Sequence, residues 1–213
     1  MIKTLKLISL MVVMAITFCC CSSKEAPVLE TAANAEEGPA MMAYEVGGEA
    51  NQMNPKVEMK IKDYGVIQLE LDPNEAPITV ENFLKLVNNG FYDGLTFHRI
   101  IKDFMIQGGD PLGTGRGGSD EQIKGEFSSN GVENNISHKR GVVSMARSQF
   151  PDSASSQFFI CHQDSEFLDG NYAAFGHVTS GIEVVDKICD TVESSDEVPK
   201  EEQPVIEYIK ELK

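Results

Sequence analysis

Residues 97 to 110 read FHRIIKDFMIQGGD. An aromatic residue, a histidine and an arginine stand inside runs of isoleucine and methionine, and the stretch stops at two glycines. The arginine is the problem. A guanidinium does not go fully inside without a partner, because taking its charge out of water costs several kcal/mol. Either Arg99 makes an internal ion pair, with a carboxylate such as Asp103 or Asp110, or it serves chemistry at the surface of a pocket.

Working outward, a period of two marks strands on either side. Val57, Met59 and Ile61 alternate with charged residues, and Val66 to Leu71 repeats the pattern after the turn Asp63-Tyr64-Gly65. Further short strands are predicted at Thr96 to Ile101, Phe104 to Gln107, Gly141 to Met145, Gln157 to Ile160, Ala173 to Val178 and Val205 to Leu212. Two helices fit the spacing of apolar residues. One places Val80, Phe83, Leu84 and Val87 on one face between Pro77 and Gly90, and the other runs from Ile182 to Cys189. Many strands and two helices predict a sandwich or closed barrel with helices over its openings.

The chain has 213 residues, 41% of them hydrophobic, enough for one sizeable core. Residues 1 to 21 have the layout of an export signal: lysines at 3 and 6, an apolar run from Leu7 to Phe18, then Cys19, Cys20 and Cys21. That run is shorter than the roughly 20 residues that span a bilayer. The cysteine cluster resembles a bacterial lipoprotein signal, in which the first mature cysteine is lipidated. Ordinary cleavage to a soluble secreted protein is the alternative. Residues 22 to 54 are rich in Ala, Glu, Gly, Pro and Asn and read as a disordered tether, with a reach of roughly 30 Å if flexible. A domain from 55 to 213 follows.

The net charge of −15 argues against nucleic acid, whose phosphates want a basic face. His98, His138, His162 and His177 lie apart, without the spacing of a metal site. No stretch such as G-x-S-x-G proposes a nucleophile. Cys161 and Cys189 read as small core residues. GTGRGG, residues 113 to 118, satisfies a dinucleotide pattern, but no apolar helical face follows to hold a pyrophosphate. Its glycines suit a loop that lets a peptide backbone come close.

Three blocks remain: FHRIIKDFMIQGGD, VVSMARSQFPDSASSQFFI and EFLDGNYAAFGHV. In order and spacing they resemble the cyclophilin family of peptidyl-prolyl isomerases, and MARS with its short loops resembles the bacterial branch. The resemblance covers residues 55 to 213. It implies a closed antiparallel eight-stranded β-barrel capped by two α-helices, a monomer that needs no cofactor or metal, and proline-containing polypeptides as substrates. With the lipoprotein-like leader, it implies an isomerase acting on exported proteins from a lipid anchor in the bacterial cell envelope.

Residue by residue, the resemblance makes Arg99 the catalytic arginine, oriented by Gln107. Phe104, Met105, Phe159 and Leu168 would line a proline pocket, and Ala146, Arg147, Ser148 and Gln157 would contact substrate. Phe167 stands where well-known eukaryotic members have tryptophan, which implies weak binding of cyclosporin, and Tyr172 stands where they have histidine. A module that merely holds proline segments, with incidental catalysis, is the competing expectation.

Overall fold

The computed structural model describes residues 54–213, so the expected leader, Cys19, Cys20, Cys21 and nearly all of the expected tether lie outside the described residues. Structure begins with β1 (Lys56–Ile61) and β2 (Gly65–Leu71), an antiparallel hairpin whose alternate residues, Val57, Met59, Ile61, Ile67, Leu69 and Leu71, are fully buried. Asp63 turns the chain in the left-handed region at φ 64°, a conformation that aspartate tolerates better than most residues.

Helix α1 (Pro77–Asn88) starts where proline fits best, in the first turn. Its N-cap residue, Ala76, offers no side chain to the open N–H groups. The carboxylate of buried Glu126 replaces it, accepting from the Ile78 and Thr79 amides at 3.0 and 2.8 Å and from the Thr79 hydroxyl at 2.7 Å. A negative group there satisfies orphan donors and faces the positive end of the helix dipole.

The chain continues through β3 (Thr96–Ile101), β4 (Met105–Asp110), β5 (Val142–Met145), β6 (Phe158–Cys161), β7 (Ala174–Ser180), α2 (Ile182–Thr191) and β8 (Ile206–Leu212). All eight strands join one antiparallel sheet in the order β3-β4-β6-β5-β7-β2-β1-β8. The two outer strands approach each other at an isolated bridge between Thr96 and Val205, flanked by the bonds Phe97 N to Pro204 O (3.0 Å) and Ile206 N to Leu95 O (2.8 Å). The architecture is mainly β, a curled eight-stranded antiparallel sheet with two helices. Of the expected boundaries, β4 begins one residue late, at Met105, because Asp103 adopts φ 65° and Phe104 N bonds back to Ile101 O, which keeps both residues in the turn.

Alternation along each strand divides the apolar residues between the two faces. On β6, Phe158 and Ile160 enter the main core, while Phe159 and Cys161 enter a smaller cluster with Met105, Val142, Leu168 and Ala174. This explains why FFIC is apolar throughout: both sides of the strand are covered. In the main core the Phe158 ring meets Phe83, Tyr92 and Phe97 edge-on at centroid distances of 5.7, 5.6 and 6.1 Å. Burying one such side chain contributes about 1.5–3 kcal/mol. The smaller cluster, on the outer face, is the floor of the site.

Candidate active site

Arg99 reaches the outer face through an irregularity in β3. Opposite β4, Phe97 pairs with Gly108 and Arg99 with Gln107, so His98 is an extra residue, a β-bulge. Without it, Phe97 and Ile100, three apart, would point to opposite faces. With it, both enter the core while Arg99 and Ile101 face outward. Gly108 makes room: a Cβ there would stand 3.0 Å from the Phe97 ring.

Above this face lies a cavity of about 250 Å³ lined by Arg99, Phe104, Met105, Gln107, Ala146, Arg147, Phe159, Leu168 and Tyr172. It is smaller than the roughly 300–1,000 Å³ of most ligand clefts and suits one apolar side chain rather than a whole metabolite. Nine of the twelve residues expected at the site thus share one pocket. Ser148 and Gln157 line an adjoining polar recess of about 310 Å³ that shares Gln107, Ala146 and Arg147 with the first. Phe167 lines neither. It is 72% exposed, and its ring lies 5.4 Å from that of Phe104 at the rim.

Arg99 is partly exposed, and its guanidinium carbon lies 5.7 Å from the Phe104 ring centroid. Nη1 points at Met105 Sδ, 3.7 Å away. The arginine does form an ion pair, but with neither Asp103 nor Asp110: Nε donates to Asp196 Oδ1 at 2.7 Å. Gln107 differs from its expected role. It stands opposite Arg99 across the ladder, yet its amide donates to Gln157 Oε1 at 2.8 Å. Gln157 in turn donates to the carbonyls of Gly115 and Gly117 at 3.1 and 2.7 Å, so the two glutamines tie the glycine-rich loop to the pocket.

That loop is shaped by buried Asp110. Its carboxylate accepts from the amides of Leu112 (2.8 Å) and Thr114 (2.9 Å), and a Cβ at Gly117 would collide with it. No helix opens at Gly118, and residues 119–127 are non-helical, so the dinucleotide geometry is absent from this segment.

Protein carbonyls take three of the five N–H groups of the Arg147 guanidinium. Nε and Nη2 donate to Asn171 O at 3.0 and 2.8 Å, Nη1 donates to Ser148 O at 2.9 Å, and the plane lies 4.8 Å from the Tyr172 ring centroid. It stands between the two pockets and lines both.

Beneath the floor runs a polar chain that sequence reasoning missed. His138 stacks on Phe159, centroids 6.0 Å apart and planes 17° apart. Its Nδ1 meets Asp169 Oδ1 at 2.7 Å and its Nε2 meets Ser144 Oγ at 3.0 Å. Burial pushes the ring below its ordinary pKa and outweighs the opposing pull of Asp169. An ionised carboxylate only accepts, so Nδ1 carries the proton and Nε2 accepts from the serine. The order serine, histidine, aspartate is that of a hydrolase, but Ser144 is completely buried and no substrate reaches it. The chain acts as a strut that fixes Phe159.

A protein-family model described as cyclophilin type peptidyl-prolyl cis-trans isomerase/CLD matches residues 56–211. Peptidyl-prolyl cis-trans isomerase B of Bacillus subtilis is 49% identical over 123 residues, covering 58% of this chain and 82% of that protein. A peptidyl-prolyl cis-trans isomerase of Acinetobacter baylyi is 42% identical over 165 residues, covering 71% and 82%. Among solved structures, a cyclophilin type peptidyl-prolyl cis-trans isomerase of Cryptosporidium parvum, crystallised in the presence of the dipeptide Ala-Pro, superposes with a TM-score of 0.67 at 31% identity, covering 74% of this chain and 99% of that one. The chain belongs to the cyclophilin family of peptidyl-prolyl cis-trans isomerases. It is an enzyme of that class.

Proposed function

We propose that the enzyme rotates X-Pro bonds in exported polypeptides, with Arg99 as the catalytic residue and the proline ring seated on Met105, Phe159 and Leu168. The observation that carries this reading is the guanidinium at the edge of a small apolar pocket, with Nη1 on the pocket side. Amide resonance sets a barrier of about 18–20 kcal/mol, and uncatalysed exchange takes tens to hundreds of seconds. Twisting the bond localises a lone pair on the prolyl nitrogen, which only then becomes a good acceptor. A fixed donor aimed there binds the twisted state better than either planar isomer, the condition for acceleration. Lowering the barrier by about 5 kcal/mol gives roughly a several-thousand-fold gain. No proton changes hands, and the enzyme works as a monomer without a cofactor. The contact of β3 with β8 supports closure of the sheet into a barrel that holds the strand carrying Arg99.

Arg99→Ala tests the reading in a coupled assay of cis-to-trans conversion in a proline tetrapeptide. Turnover should fall about 100-fold or more, the scale of removing one transition-state donor, with the circular dichroism unchanged. Near-parental turnover would refute the assignment.

The cellular setting is a second part of the proposal. A cysteine of the cluster Cys19 to Cys21, following the apolar run, carries a lipid and anchors the domain in the bacterial cell envelope. Residues 22 to 54 act as its tether. Labelling with a radioactive fatty acid tests this, and an unlabelled chain with its cysteines intact would instead be a soluble secreted protein.

A further inference from the structure

Opposite the pocket, the Arg99 side chain meets a segment from the far end of the chain. Residues 194 to 198, between α2 and β8, run along the outer edge of β3 and are bonded to it by backbone. Ser195 N donates to Ile100 O at 2.7 Å, Ile100 N donates to Ser195 O at 3.0 Å, and Val198 N donates to His98 O at 2.8 Å. A side chain adds a further tie, Lys102 N donating to Ser194 Oγ at 3.0 Å, and Lys102 Nζ donates at 2.7 Å to Asp190 Oδ1, at the end of α2 just before the segment. Asp196 is therefore held in register with the strand that carries the arginine, although its own side chain is 81% exposed.

We propose that Asp196 is a positioning residue for Arg99, a role that rests on the reading of Arg99 as catalytic. A guanidinium is planar and rigid, with Nε–H and one Nη2–H along one edge and Nη1 on the other, so fixing the Nε edge aims Nη1. The Asp196 carboxylate takes Nε on the solvent side at 2.7 Å, and Nη1 accordingly lies over Met105 Sδ on the pocket side. Gln107, the pocket residue opposite Arg99, is engaged with Gln157. Among the described residues, Asp196 supplies the one side-chain oxygen bonded to this guanidinium. An unbraced arginine samples many rotamers, and only a fraction of them present the fork to a twisting bond. Loss of the brace should lower turnover while leaving substrate affinity nearly unchanged, because the apolar floor does not touch Asp196.

The test uses the full chain and the tetrapeptide assay. Asp196→Ala should lower kcat about fivefold, the rate equivalent of one net hydrogen bond, with KM within about twofold of the parent. Asp196→Asn keeps an acceptor oxygen and should restore more than half of the lost turnover. In an Arg99→Ala background, Asp196→Ala should change the residual rate no further. Four results would overturn the proposal: parental kcat in Asp196→Ala, a loss confined to KM, equal losses in the Asn and Ala variants, or the same fold loss with and without Arg99. Should Arg99→Ala alone retain turnover, the catalytic reading of Arg99 fails first. That outcome is distinct from an active Arg99 indifferent to Asp196.

Discussion

His98 and His138 are almost completely enclosed, at 2% and 1% exposure, and both should make the fold sensitive to mild acid. Burial lowers the pKa of each below its ordinary value of 6.5. Asp110 opposes this at His98, where Arg99 reinforces it, and Asp169 opposes it at His138. A depressed histidine pKa means that the folded protein binds fewer protons than the unfolded chain. Stability is then complete above the unfolded pKa and is lost as pH falls below it. Each ring adds a slope of up to about 1.4 kcal/mol per pH unit. Between about pH 7 and pH 5.5 the pair would remove up to about 2.5 kcal/mol, a drop of roughly 5–10 °C in the unfolding midpoint of a domain this size. Asp110 and Asp169 do not confuse this window. Burial raises both, but hydrogen bonds from backbone amides, among them Leu112 N to Asp110 and His138 N to Asp169, outweigh it and hold both below the ordinary carboxylate range. Thermal unfolding followed by circular dichroism across this range reads the effect. The double variant His98→Gln, His138→Gln should flatten the slope whatever it does to absolute stability. A midpoint that is level across the window in the parent, or an unchanged slope in the double variant, would refute the reasoning.

Two further outcomes are expected. Cys161 and Cys189 are free and buried, and burial pushes each thiol up to about 12, so neither should react with iodoacetamide in the native protein while both should label in denaturant; rapid native labelling would contradict this placement. Glu126→Ala should destabilise the domain by about 2–4 kcal/mol in urea titrations, since it leaves the Ile78 and Thr79 donors open at the start of α1, and a loss below about 0.5 kcal/mol would remove Glu126 from that role.

The strands were legible because half-buried strands write a period of two into the sequence, and α1 was legible from Pro77, Gly90 and the spacing between them. Even the apolar run FFIC carried its meaning, two covered faces, once its neighbours were known. The His98 bulge was not legible: an inserted residue in a strand looks like any other until its partner strand is identified. Asp196 was hidden for another reason, since 97 residues separate it from Arg99 and it lies in an acidic stretch that reads as solvated charge. His138 and Ser144 read as unremarkable polar residues because a buried strut has no local pattern. The pocket lining came from three blocks of resemblance, whereas the diversion of Gln107 to Gln157 depends on side-chain torsions that no block of sequence specifies.

The pocket opens outward from a sheet whose other face is occupied by the core. A polypeptide can therefore settle on it sideways at any point along its length, with neither end threading through an aperture, and leave the same way. Client size is then limited by what can approach the surface rather than by what fits inside. Large, half-folded chains with a proline on an accessible loop fall within reach as readily as short peptides.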